Sequence, residues 1–117
     1  MLAAAEAEAS AVLAALPPDV RRQAEAVPIA FEQRPGPDRI ANGLDADTLG
    51  VFLGPSALDE PGASPLPPEI VLFLEPLWEE AGGRAAAFRR ELRTTLLHEL
   101  GHALGWDEDD LAARGLS

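Results

Sequence analysis

Apolar residues recur along the start of the chain at Leu2, Ala5, Ala9, Val12, Leu13 and Leu16. That spacing draws one apolar stripe along a helix, so the pattern predicts an amphipathic helix, stopped by Pro17-Pro18. A short helical stretch over 19–26 follows, with Asp19 positioned to cap it. Val27, Ile29 and Phe31 then alternate with small or polar neighbours, the period of a strand with one buried face. Pro28 removes a backbone donor there and assigns that strand to a sheet edge. Residues 34–47 are rich in Pro, Gly and Asp and read as a loop, with Asn42-Gly43 as a turn. Gly50–Leu53 is a short apolar strand, and 54–68 an exposed, Pro-rich connection. The run Ile70-Val71-Leu72-Phe73-Leu74 is the most buried strand, and Pro76 ends it.

The last long element is a helix over about 84–104. It enters after Gly82-Gly83 and packs through Phe88, Leu92, Thr95, Leu96 and Leu100. Gly105 follows it, where a left-handed residue commonly closes a helix. A short helix over 109–114 finishes the chain. Helix, two or three strands and then helices make an α+β fold with a small mixed or antiparallel sheet.

Composition narrows the function. At 117 residues the chain is expected to form one domain over 1–117. It has no Cys, so neither a disulfide nor a thiolate metal site can form. The net charge is −11, from 20 acidic and 9 basic residues, and every basic residue is Arg. Phosphate contacts need clustered positive charge, so nucleic-acid and anionic-membrane partners are excluded as expectations. The one local cluster, Arg84, Arg89, Arg90 and Arg93, lies beside Glu91 and near Glu79 and Glu80 and reads as a solvated, salt-bridged face. The Ala-rich start lacks a basic n-region and carries Glu6 and Glu8 where a signal peptide is apolar. No run has the length of a membrane span. These features lead us to expect a cytoplasmic monomer.

The chemistry gathers at 98–102. The chain has two His, His98 and His102, four residues apart with Glu99 directly after the first. On a helix this spacing sets both imidazoles on one face, about 6 Å apart along the axis. Two convergent neutral imidazoles suit a tetrahedral Zn²⁺, at roughly 2.0–2.1 Å from each nitrogen. Zn²⁺ brings the pKa of bound water towards about 7, and Glu99, turned about 100° around the helix, can take its proton during attack on a peptide carbonyl. A catalytic zinc usually has three protein ligands and an open position. With no third His, the third ligand must be a carboxylate: Asp107, Glu108, Asp109 or Asp110 after the turn at Gly105, or Glu75 or Asp59 upstream.

His98-Glu99-Leu100-Gly101-His102-Ala103-Leu104-Gly105-Trp106-Asp107-Glu108 resembles the extended zincin pattern, HExxHxxGxx followed by His or an acid. Together with Gly50–Leu53 and Ile70-Val71-Leu72-Phe73-Leu74, it is similar to the small bacterial zincin-like metallopeptidases. The resemblance covers roughly 10–116. It implies a minimal zincin-like fold: about three strands packed on an N-terminal helix and a C-terminal active-site helix, with an edge strand beside the zinc. It implies His98 and His102 as Zn²⁺ ligands, Glu99 as general base and Glu108 as third ligand, with Asp109 or Asp107 as alternatives. The activity implied is peptide-bond hydrolysis, on a peptide or unfolded protein that adds to the edge strand at Gly50–Leu53. Two features depart from the metzincins: Met1 is the only Met, so no Met-turn underlies the metal, and the third-ligand position is acidic and not His. No Tyr or further His is available to stabilise an oxyanion. That absence supports the alternative, a zinc-stabilised binding or regulatory module without catalysis.

Overall fold

The computed structural model describes residues 1–55 and 67–113. Helix α1, Leu2–Ala14, turns Ala5, Ala9 and Val12 inward and packs along the long helix of the C-terminal half. Short Ala side chains on that face allow the two backbones to approach closely. Helix α2, Pro18–Glu25, buries Val20 and Ala24. It differs from expectation in its start: Pro18 is the first helical residue and Asp19 sits inside the first turn, making no side-chain cap. The fixed φ of proline suits that first position, and Asp19 still lies where the helix dipole favours an anion.

Three strands form one mixed sheet in the order β1-β3-β2: β1 is Ile29–Glu32, β2 Gly50–Leu53 and β3 Glu69–Phe73. β1 runs parallel to β3, and β2 antiparallel to it with Val51 opposite Val71. The central strand is the continuous apolar one, and Ile70, Val71, Leu72 and Phe73 are fully buried. A strand covered on both faces has no solvent side on which to alternate polar residues. β1 is an edge strand, and Pro28 lies just before it, where its missing N–H costs no ladder bond.

Two helices stand where the hydropathy pattern indicates none. Helix α3, Pro37–Ala41, interrupts the expected loop and is tied to β1 by the ion pair Arg39–Glu32 at 2.7 Å. Helix α4, Leu74–Glu80, follows β3 directly, so Pro76 lies in a helical first turn instead of terminating a strand. The first four N–H groups of a helix lack intrahelical partners, so a proline there removes nothing. Leu74, Pro76 and Leu77 face the core.

Helix α5, Ala85–Ala103, is the spine. Phe88, Leu92, Leu96 and Leu100 are buried along it, and it contacts α1, α4, β2 and β3. Thr95 is half-buried against the edge strand: a Cβ on Gly50 would lie 2.8 Å from Thr95 Cγ2 and 2.9 Å from Leu72 Cδ2. The bare Gly50 backbone therefore brings β2 up to the helix that carries the two histidines. Helix α6, Glu108–Ala113, folds back on α5 through buried Leu111. One hydrophobic cluster joins residues of α1, α2, β3, α4 and α5.

The salt-bridged face expected around Arg84, Arg89, Arg90 and Arg93 does not form among the described residues. Glu79 pairs instead with Arg34 at 2.9 Å, as does Glu75 at 2.5 Å. Exposed pairs gain little free energy, so sequence proximity does not impose them. Among the described residues, no helix is long and apolar enough to cross a membrane.

Candidate metal centre

The end of α5 determines what can gather around the two histidines. Gly105 has φ +75°, its N–H bonds to His102 O at 3.1 Å, and the Trp106 N–H bonds to Gly101 O at 2.7 Å. This pair of bonds is a Schellman closure, which satisfies the last carbonyls and needs a left-handed residue at its centre. The chain thereby reverses within two residues, and Trp106 packs onto the core.

A second local device starts α6. The Asp107 side chain accepts from the Asp110 N–H at 2.8 Å, and the Asp110 side chain accepts from the Asp107 N–H at 3.1 Å. This reciprocal cap satisfies two helix-terminal donors with two carboxylates. Gly101 completes the arrangement, because a Cβ there would meet Leu111 Cδ1 at 2.9 Å. Turn, cap and the missing Cβ together bring the first turn of α6 beside His98.

His98 Nε2 and His102 Nε2 lie 3.1 Å apart. Two donors on a tetrahedral zinc with bonds of roughly 2.0–2.1 Å stand about 3.3 Å apart, so the imidazoles are spaced as a shared ion requires. His98, Glu99 and His102 offer ligand atoms all within 4.8 Å of one another. The two imidazoles are exposed to an incoming ion, whereas Glu99 is buried. Nitrogen and carboxylate oxygen donors match the preferences of zinc.

Burial pushes the Glu99 carboxyl above its ordinary range; the neighbouring His102 and His98, and a hydrogen bond from the Phe52 backbone N–H, oppose that rise. Phe52 belongs to the edge strand β2, so Glu99 joins the helix of the histidines to the sheet edge.

Of the carboxylates considered as a third ligand, Glu108 contacts a histidine but stands outside the cluster of ligand atoms formed by His98, Glu99 and His102. Its Oε1 accepts from His98 Nδ1 at 2.6 Å, on the ring nitrogen not shared with His102, and its side chain is 69% exposed. Asp107 and Asp110 are engaged in the helix cap, and Asp109 is exposed on the same short helix. Glu75 is held by Arg34, and Asp59 lies outside the described residues.

A cleft of about 380 Å³ opens beside His98. His98, Glu99 and Glu108 line it, and the rest of its wall includes Leu49, Gly50, Glu91, Thr94, Leu97 and Leu111. Leu49, Glu91 and Thr94 carry no motif in sequence. The one signal for Glu91 is its position seven residues before His98, which on a helix is the same face.

No curated protein matches the chain. The family model described as zincin-like metallopeptidase matches residues 24–116, which include all three strands and the whole of α5 and α6. The chain belongs to the zincin-like metallopeptidase family.

Proposed function

We propose that this protein is a zinc-dependent peptidase that hydrolyses peptide bonds in short or unfolded polypeptides. The observation that carries this reading is the convergence of His98 Nε2 and His102 Nε2 beside the buried carboxylate of Glu99, with His98 and Glu99 lining a cleft. His98 and His102 would hold Zn²⁺ through Nε2; Glu108, bonded to His98 Nδ1, orients that ring, and its exposed carboxylate would have to leave Nδ1 to serve as third ligand. Zinc supplies a Lewis acid that brings the pKa of water towards about 7.

Glu99 receives a proton from the attacking water and passes it to the departing amine. Its burial suits that task, since removal from water makes the carboxylate readier to take up a proton than an exposed one. The Phe52 N–H holds the carboxylate in position. β2 pairs with β3 on one side only, and the substrate backbone would add along its free side.

The test uses metal-free protein titrated with zinc, beside the Glu99→Gln variant. The parent should bind about one zinc per chain and cleave a peptide library, and the variant should bind zinc and lose cleavage by a factor on the order of a thousand. Cleavage by the variant at the parent rate would remove Glu99 from the mechanism. The absence of Tyr and of a third His to stabilise an oxyanion favours one alternative, a zinc-stabilised module that binds without hydrolysis. Stoichiometric zinc with no turnover of any peptide would select it.

A further inference from the structure

The cleft continues well beyond the groups that could touch a metal. Along α5, Glu91, Thr95, His98 and His102 occupy one face, since residues seven and eleven positions apart nearly superimpose around a helix. Glu91 therefore stands about 10 Å before His98 along the axis. Thr94 and Thr95 lie between the two along the helix, and Leu49, Leu97 and Leu111 also line the cleft, Leu111 at the Gly101 side of His98. One cleft wall thus holds His98, several apolar side chains and, two helical turns from His98, the carboxylate of Glu91.

Among the described residues that carboxylate is unpaired, and Arg84, on the same helix face, makes no ion pair with it. No ion pair or hydrogen bond joins the Glu91 side chain to another group among the described residues. Its neighbours three and four positions away on the helix are Ala87, Phe88, Thr94 and Thr95, none of them charged. Arg89, Arg90 and Arg93 project from other sides of α5. No Arg lines the cleft among the described residues. Glu99 and Glu108, the other two acids of the wall, lie beside His98.

We infer that this cleft is a side-chain subsite for a lysine or arginine of the substrate, with Glu91 receiving its cationic head. Lys and Arg match this lining: an apolar stem that can pack on the cleft's leucines and a charged tip for Glu91. They are also the longest side chains, as the separation of Glu91 from the histidines demands. A peptide α-amino group carries the same charge but lies within one residue of its own carbonyl, too close to span two turns of helix. The inference deepens the peptidase reading and rests on it for the position of the substrate backbone.

Binding separates the two readings, because it needs no turnover. Zinc-loaded Glu99→Gln protein is titrated calorimetrically with matched blocked peptides that differ at one position: Lys, norleucine, Glu or Ala. Norleucine retains the apolar stem and lacks the charge. Lys should bind about three- to tenfold more tightly than norleucine at low salt, and Glu least well, with the Lys advantage shrinking as salt screens the pair. Adding Glu91→Gln should bring the Lys-to-norleucine ratio close to one, with far-ultraviolet dichroism checking that the variant remains folded. A free N-terminal amine on the Ala peptide should not reproduce the gain. Equal affinity for Lys and norleucine, or a ratio indifferent to Glu91→Gln, would overturn the proposal. Selective binding without cleavage by the parent would instead uphold the subsite and refute the peptidase.

Discussion

Gly101 and Leu111 meet where a side chain would not fit: a Cβ on Gly101 would lie 2.9 Å from Leu111 Cδ1 and 3.4 Å from its Cγ. Leu111 is buried, so it cannot simply swing away. The contact joins α5, within the His98–His102 segment, to α6, which carries Glu108. An interior helical glycine thus has a tertiary reason to be there.

Gly101→Ala should therefore separate stability from metal affinity. Alanine gains about 0.5–1 kcal/mol of helix propensity, while overpacking against Leu111 costs about 1–3 kcal/mol, so the net loss of stability is small. Pushing α6 outward carries Glu108 away from His98, and zinc affinity should fall about tenfold. Competition titration with a chromogenic chelator measures it. Unchanged affinity would mean that α6 does not help to hold the metal.

Substitutions at the acidic run should rank by position. Glu108→Ala should weaken zinc binding by about 10- to 100-fold, the range for a ligand or for a carboxylate that orients one. Asp109→Asn should leave it nearly unchanged. Asp107→Ala should destabilise α6 by about 1 kcal/mol through loss of the reciprocal cap, and affect zinc only through that helix. A larger zinc defect in the Asp109 variant than in the Glu108 variant would reassign the site.

Chelation should lower the melting temperature, because zinc bound to the folded chain and not to the unfolded one adds its free energy to folding. Free zinc at about 100 times its dissociation constant contributes about 2.7 kcal/mol, or roughly 10 °C for a chain of this size. Calorimetric scans with and without chelator read the difference. Identical scans would deny a zinc-linked fold.

The Glu32–Arg39 pair should show in the acid limb of stability. Its hydrogen bond to Arg39 holds the Glu32 carboxyl below the ordinary carboxylate range, against a smaller opposing effect of burial. A group with a lowered folded pKa contributes stability above its unfolded value of about 4.3, and that contribution is lost as the pH falls through the folded value. Both side chains are partly solvated, so Glu32→Gln should cost only about 0.5 kcal/mol at neutral pH. Urea midpoints of parent and variant should converge in acid. A gap that persists at low pH would assign the effect to packing.

Much was legible from the chain alone. The spacing of His98 and His102 with Glu99 between them prescribes convergent imidazoles, because 3.6 residues per turn decide which side chains share a face. The left-handed turn at Gly105 and the continuous apolar strand at Ile70-Val71-Leu72-Phe73 follow from equally local rules. What only the tertiary structure decided depends on partners distant in sequence. Leu74–Glu80 became helical beside a proline because its apolar side chains found the core, a choice that local pattern does not contain. The parallel pairing of β1 with β3, the bond from Phe52 to Glu99 and the folding of Glu108 back onto His98 each join segments that sequence spacing cannot rank. Glu91 is the plainest case. Its residue type and helical position were visible, but the leucines that share its cleft come from three separate segments, the loop before β2, α5 and α6.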